Sequence, residues 1–127
     1  MTAPKPLPPP RVCAFLDDIR TPPEGWVLWR SYDEAVAWMT EHGCPAYVSF
    51  DHDLGWYVTA EPSPNDEKSG LDVVRWMIGR DSAGDFIPLD FAFAAHSMNP
   101  VGRARILDEM GDHMEWRRLA AAREGKP

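Results

Sequence analysis

Three features of the sequence predict a three-layer α/β domain with a short, mainly parallel sheet of about four strands. Short apolar runs alternate with helical patterns, which is typical of parallel strands joined by crossover helices. The length of 127 residues suits a single core. A hydrophobic content of 44% and six tryptophans indicate a folded globule rather than a disordered chain. The sequence therefore predicts one domain, which we place at residues 12–123.

The first part of the chain contains three predicted strands and one helix. Residues 1–11 include five prolines and are expected to form a disordered tail, and residues 124–127 a flexible end. A helix is predicted between Ser31 and Gly43, because Ser31 and Glu34 have the spacing of a capping box. Apolar runs rich in β-branched and aromatic residues predict strands at 12–16, 26–29 and 46–50.

A long polar stretch follows the third strand. Residues 56–70 contain two prolines and exceed the usual length of a connection, so we expect a loop that acts as a lid over a site. Apolar residues from Leu71 to Ile78 then recur at helical spacing, and Gly79 is predicted to end this helix.

The last part of the chain is predicted to hold one strand and two helices. The strand covers residues 89–95. Asn99 is a good N-cap in front of Pro100, so a helix is expected from there to about residue 110. Gly111 should separate it from a final helix at 115–122.

Charge and composition exclude several classes of protein. A formal net charge of −7 disfavours sequence-specific binding to duplex nucleic acid. No apolar run is long enough to span a membrane, and the N-terminus does not resemble a signal peptide. Cys13 and Cys44 lie in or beside apolar runs without metal-ligand spacing, which favours reduced thiols in a cytoplasmic protein.

Polar residues follow three of the four predicted strands directly. These are Asp17-Asp18, Asp51-His52-Asp53 and His96-Ser97. The carboxyl ends of parallel strands lie at one edge of a sheet, where ligands of α/β proteins bind. We therefore expect these side chains to meet, although they are distant in sequence.

The chemistry of this edge suits a hard divalent cation. The carboxylates of Asp17, Asp18, Asp51 and Asp53 offer oxygen ligands to Mg²⁺ or Mn²⁺. His52 and His96 are either further ligands or groups that move protons at a phosphoester oxygen, and the sequence leaves both roles open.

A phosphate site is expected beside the cation. Ser97, Asn99 and the helix N-terminus that follows offer donors to an anion, although Asn99 and Pro100 also serve as an ordinary cap. Arg20 and Arg103 are candidates to hold phosphate oxygens, and the alternative for each is a surface ion pair.

The same residues carry a resemblance to a known family. Residues 16–22, the strand ending in Asp-His-Asp-Leu-Gly, and residues 96–102 together resemble the cyclic-phosphate processing receiver domain family. The resemblance covers about residues 12–110 and implies a receiver-like (flavodoxin-like) fold with strand order 2-1-3-4. It matches Asp17 and Asp18 to the acidic pair of receivers and Asp51 to their phosphoacceptor. The chain departs from ordinary receivers in its histidines and in lacking an evident fifth strand that ends in lysine.

The expected function is metal-dependent hydrolysis of a cyclic phosphate, with a cyclic nucleotide or a 2′,3′-cyclic RNA end as substrate. Asp51, His52 and His96 are the expected catalytic residues. Two alternatives stay open: a signalling receiver phosphorylated on Asp51, and a non-catalytic module that binds a nucleotide or a protein.

Overall fold

A computed structural model of the chain describes residues 11–51, 68–97 and 99–125. In this part of the chain four strands and three helices follow one another. They are β1 (Cys13–Leu16), β2 (Val27–Trp29), α1 (Tyr32–His42), β3 (Tyr47–Phe50), α2 (Gly70–Ala83), β4 (Ala92–Ala95) and α3 (Pro100–Arg123). None of the three helices has the length and apolar character that crossing a membrane requires.

The four strands form one parallel sheet in the order β2-β1-β3-β4. The predicted receiver-like α/β fold, the parallel sheet and the strand order are confirmed. The predicted third layer is not seen among the described residues, because the three helices there pack on one face of the sheet. In the register of the three strands β1, β3 and β4, Leu16 lies beside Phe50, and Phe50 beside Ala95. The last residues of these strands are therefore level, so the residues that follow them emerge side by side.

Helix α1 begins and ends where its sequence signals predict. The Ser31 hydroxyl accepts a hydrogen bond from the backbone N–H of Glu34, and the Glu34 carboxylate accepts one from the backbone N–H of Arg30. At the other end Gly43 has a φ of 94°, a conformation that side chains with a Cβ rarely adopt. Local chemistry alone fixes both ends of this helix.

The predicted ends of two other helices were wrong. Helix α2 continues through Gly79 to Ala83, and α3 runs unbroken through Gly111 to Arg123, so the chain has one helix where two were expected. A glycine costs a helix only about 1 kcal/mol. Contacts on both sides of each glycine offset that cost. The buried Met77 and the hydrogen-bonded Asp81 flank Gly79, and the buried Met110 and Met114 flank Gly111.

Strand β4 is shorter than predicted. It begins at Ala92 rather than at residue 89, because the chain turns just before it and the backbone N–H of Phe91 bonds the carbonyl of Pro88. Three expectations fall partly on residues that are not described. These residues are 1–10 of the expected disordered tail, 56–67 of the expected lid loop and 126–127 of the expected flexible end.

All three helices contribute to one core against one face of the sheet. The sheet supplies Ala14, Leu16, Trp29, Val48 and Phe50, and the helices supply Ala35, Met39, Leu71, Val73, Val74, Met77, Ile106, Met110 and Met114. Strand residues alternate between faces, so Phe15, Tyr47 and Ser49 belong to the opposite face. There Trp26 packs edge-on against Phe15 and Tyr47, with ring centroids 6.1 and 5.6 Å away. Cys13 and Cys44 are both free, as predicted.

The buried carboxylate of Asp81 joins α2 to α3, away from the carboxyl ends of the strands. One oxygen of Asp81 accepts the backbone N–H groups of Phe86 and Ile87, at 2.8 and 2.7 Å. The other oxygen accepts from His113 Nε2 at 2.7 Å and from Arg117. Burial raises the pKa of Asp81, but the hydrogen bonds from Arg117, Ile87, His113 and Phe86 outweigh it and leave the pKa below its usual value. This ion cluster fixes the loop that leads into β4.

Candidate active site at the carboxyl edge of the sheet

The strand ends bring together three of the residues singled out from the sequence. Asp17, Asp51 and His96 directly follow β1, β3 and β4, and their backbones continue the sheet pairing. The N–H of Asp51 bonds the carbonyl of Leu16, and that of His96 bonds the carbonyl of Phe50, both at 2.9 Å. One carboxylate oxygen of each aspartate and one ring nitrogen of His96 all lie within 4.8 Å of one another. The expected convergence is therefore present for these three groups.

Asp17 is the buried centre of the cluster, with 1% of its surface exposed. Its Oδ1 accepts the backbone N–H groups of Ile19 and Arg20, each at 2.8 Å, and its Oδ2 accepts from His96 Nε2 at 2.9 Å. Burial raises the pKa of Asp17, but the two N–H groups and His96 together lower it further than burial raises it. The net lowering keeps Asp17 ionised at neutral pH.

His96 is held on three sides. Its Nε2 contacts Asp17, and its Nδ1 lies 2.7 Å from the hydroxyl of Ser49. The ring of Phe15 stacks on the imidazole, with centroids 4.5 Å apart and planes 3° from parallel. The ring is therefore fixed in position and in rotation.

Two arginines stabilise the loop between β1 and β2. The Arg20 guanidinium donates to the carbonyl of His96 at 3.1 Å, and its Nε lies 4.0 Å from Asp17 Oδ2. The Arg30 guanidinium donates to the carbonyls of Asp17 and Arg20, at 3.2 and 2.7 Å. Arg20 thus lies beside the site, as expected, with 49% of its side chain exposed. Arg30 shapes the loop that carries both of these residues.

Ser97 and Asn99, the predicted phosphate ligands, are engaged in local structure. The Ser97 hydroxyl accepts the backbone N–H of Asn99 at 3.1 Å, and Asn99 Oδ1 accepts that of Gly102 at 3.0 Å. These bonds shape the turn from β4 and cap α3. Arg103 is exposed on the first turn of that helix.

Three further predicted residues, Asp18, His52 and Asp53, are not part of the cluster of described side chains. Asp18 is half-buried beside Asp17. His52 and Asp53 lie outside the described residues, so their predicted roles stay predictions.

Sequence reasoning missed Ser49, Phe15 and Arg30. A period of two along β3 places Ser49 on the same face as Asp51, and the same rule places Phe15 with Asp17. A polar residue inside an apolar strand, two positions before the acid, was the available signal for Ser49. Arg30 directly follows β2, so this remaining strand is also followed by a polar residue.

Comparison with known proteins identifies the family. The model of the cyclic-phosphate processing receiver domain matches residues 13–112 of the 127. The chain belongs to this family. No match was found among curated proteins or among solved structures.

Membership of a receiver family agrees with the geometry at the strand ends. An acidic pair follows the first strand, an aspartate follows the central strand, and a serine lies just after the fourth. In the described residues after β4 the chain forms the long helix α3, and no fifth strand follows it there.

The donor set suits a divalent cation. Asp17 and Asp51 place two carboxylates close together, and like charges so near each other repel. A cation between them removes the repulsion, and carboxylate oxygens are the ligands that Mg²⁺ and Mn²⁺ prefer. The described residues therefore fit such an ion.

Proposed function

We propose that this domain is a metal-dependent phosphoesterase that hydrolyses a cyclic phosphate, either a cyclic nucleotide or a 2′,3′-cyclic RNA end. The observation that carries the proposal is the convergence of Asp17, Asp51 and His96 within 4.8 Å at the carboxyl edge of the sheet. The family to which the chain belongs is described by cyclic-phosphate processing, which supports the same substrate class.

In this proposal the carboxylates hold the cation. Asp17 and Asp51 are the ligands supported by geometry, and Asp18 and Asp53 are further candidates from the sequence. Bound Mg²⁺ or Mn²⁺ supplies polarisation of a phosphoryl oxygen and activation of water. The lowered pKa of Asp17 keeps its carboxylate charged for this role at neutral pH.

Hydrolysis replaces one phosphorus–oxygen bond by another and moves two protons. A water oxygen attacks phosphorus, the bond from phosphorus to one ring oxygen breaks, water loses a proton and the leaving oxygen gains one. We assign these transfers to His52. Both ring nitrogens of His96 face Asp17 and Ser49, so in this proposal His96 holds the Asp17 carboxylate in place instead of moving a proton. Arg20, next to Asp17 and half-exposed, is placed to hold phosphate oxygens, and Ser97, Asn99 and Arg103 are the other candidates for this contact.

The test is a panel of cyclic phosphates assayed with Mg²⁺ and with Mn²⁺. Wild type should open at least one of them, and His52→Ala should slow turnover by about 10²–10⁴-fold, the usual effect of losing an acid or base. His96→Ala should also slow turnover, because Asp17 loses the hydrogen bond that holds its carboxylate in place. His42→Ala is the matched control, because His42 is exposed in the last turn of α1. Its turnover should equal that of wild type.

A signalling receiver is the second candidate, favoured by the position of Asp51 at the end of the central strand beside Asp17. If Asp51 is a phosphoacceptor, acetyl or carbamoyl phosphate should label it, and both histidine variants should be labelled about as well as wild type. Labelling without turnover of any cyclic phosphate would replace the enzyme by the switch. Neither labelling nor turnover would leave a binding module for a nucleotide or a protein.

A further inference from the structure

We propose that Ser49 is a positioning residue that fixes the imidazole of His96, so that His96 enters the site as a hydrogen-bond donor to Asp17 and not as a cation ligand. The part that concerns hydrogen bonding stands on geometry alone. The part that concerns the cation rests on the proposed function.

The geometry is a continuous chain of three side chains from three strand regions. Asp17 Oδ2 lies 2.9 Å from His96 Nε2, and His96 Nδ1 lies 2.7 Å from Ser49 Oγ. Ser49 is 8% exposed, so water has little access to replace its hydroxyl. The stacked ring of Phe15 keeps the imidazole in the plane that both hydrogen bonds require.

The hydrogen-bond partners of His96 decide which of its two ring nitrogens carries the hydrogen. An ionised carboxylate only accepts hydrogen bonds, so Nε2 must carry a hydrogen where it faces Asp17. In a neutral ring Nδ1 then has a lone pair, and the Ser49 hydroxyl is the donor that faces it. The other neutral form would set two lone pairs against each other across 2.9 Å. Ser49 and Asp17 thus select the same form from opposite sides of the ring.

This assignment decides what His96 can do for a cation. A nitrogen that carries a hydrogen has no lone pair for a metal, so Nε2 does not coordinate an ion while it bonds Asp17. The carboxylates of Asp17 and Asp51 remain as the ligands of the described cluster. His96 instead orients Asp17, and Ser49 orients His96. Losing the partner that bonds a ligand directly, here His96, typically weakens metal binding by about 10–100-fold. Losing Ser49, which contacts His96 and not the ligand, should weaken it less.

The first experiment observes His96 directly by ¹⁵N NMR of the imidazole in the metal-free protein. At a pH high enough for the imidazole to be neutral, wild type should show a hydrogen on Nε2 and an Nδ1 without one that accepts a hydrogen bond. In Ser49→Ala the Nδ1 resonance should move toward that of a nitrogen without a donor, and Ser49→Thr, which keeps the hydroxyl, should restore it. Ser82→Ala, an exposed hydroxyl deletion on α2, should change nothing. A wild-type hydrogen on Nδ1 alone, or an identical spectrum in Ser49→Ala, overturns the inference without reference to any activity.

The second experiment measures Mn²⁺ affinity by titration calorimetry on the same proteins. Ser49→Ala should bind more weakly than wild type, by up to about 10-fold, the lower end of the usual effect of a direct partner, and Ser49→Thr close to wild type. If wild type binds no Mn²⁺, the proposed function fails while the NMR result still decides the role of Ser49. If wild type and Ser49→Ala bind equally, the cation part of the inference is wrong and the proposed function stands.

Discussion

Asp17 is the residue at which the backbone, the imidazole and the candidate cation site meet. Its two oxygens accept three hydrogen bonds, two of them from the backbone of the loop that follows β1. Fully satisfied hydrogen bonding is what allows a charged group to be buried without a large cost. Asp17 therefore organises the loop as well as the site.

At this scale we predict the effect of Asp17→Asn. The amide oxygen can still accept the N–H groups of Ile19 and Arg20, but the amide nitrogen then meets His96 Nε2, which also carries a hydrogen. An unsatisfied buried donor costs about 1–3 kcal/mol, so the free energy of unfolding should fall by that amount in urea titrations. Mg²⁺ or Mn²⁺ should raise the melting temperature of wild type if the proposed site binds metal, and this rise should largely disappear in Asp17→Asn.

Asp33→Asn is the control for this substitution. Asp33 is exposed in the first turn of α1, so its variant should keep nearly wild-type stability and the full response to metal. If Asp17→Asn keeps both as well, Asp17 neither supports the fold nor binds the cation.

At the scale of single elements, the long helix α3 shows how packing overrides a local signal. Gly111 looks like a helix end in sequence, yet Met110 and Met114 on either side are fully buried in the core. Burying a methionine side chain stabilises a fold by about 1.5–3 kcal/mol, which exceeds the cost of one helical glycine. The helix therefore continues.

Gly111→Ala should stabilise the protein for the same reason. A Cβ at Gly111 meets no atom within 4 Å, and the residue does not need a positive φ. Alanine removes the entropic cost of glycine, so the free energy of unfolding should rise by about 0.5–1 kcal/mol. Thermal unfolding followed by circular dichroism measures the change.

Gly25→Ala is the opposite case and serves as its control. Gly25 also has open space around it, but its φ is 88°, where a Cβ is strained. This variant should be less stable than wild type. A stabilised Gly25→Ala, or a destabilised Gly111→Ala, would contradict the opposite roles assigned to the two glycines.

At the scale of the whole molecule, Asp81 connects parts that the sheet does not hold together. It bonds the loop before β4 and two residues of α3 from its position near the end of α2. Removing one partner from a buried ion cluster usually costs about 3–5 kcal/mol, because the remaining charges lose their compensation. Asp81→Asn should therefore destabilise the entire domain.

The pH dependence of that loss has a definite sign. The folded state lowers the pKa of Asp81 below 3.8, so the ionised form stabilises the fold above that pH. As pH falls through 3.8 and below, the unfolded chain gains a proton first and the stabilisation decreases. The gap in melting temperature between wild type and Asp81→Asn should be widest near pH 6 and should shrink below about pH 4.

Asp90→Asn is the matched comparison for this measurement. Asp90 forms an exposed ion pair with Arg11, which solvent screens, so its variant should lose little stability at any pH. A gap for Asp81→Asn that is constant from about pH 6 to about pH 3 would show that its carboxylate charge does not support the fold.

The sequence by itself determined the parts of this protein that depend on neighbours in the chain. Alternating apolar runs set the strands, Ser31 and Gly43 set the ends of α1, and parallel strands of equal register placed Asp17 near His96. These features follow from backbone geometry and hydrogen bonding within a few residues, together with the rule that parallel strands share an edge.

Only the tertiary structure decided which side chains from distant parts of the sequence contact one another. The pairing of Ser49 with His96 spans 47 positions and that of His113 with Asp81 spans 32, and no local pattern encodes either contact. The continuation of α2 and α3 through their glycines was likewise decided by burial on neighbouring turns. The reason is physical: a local signal worth about 1 kcal/mol yields to burial contributed by residues distant in the sequence.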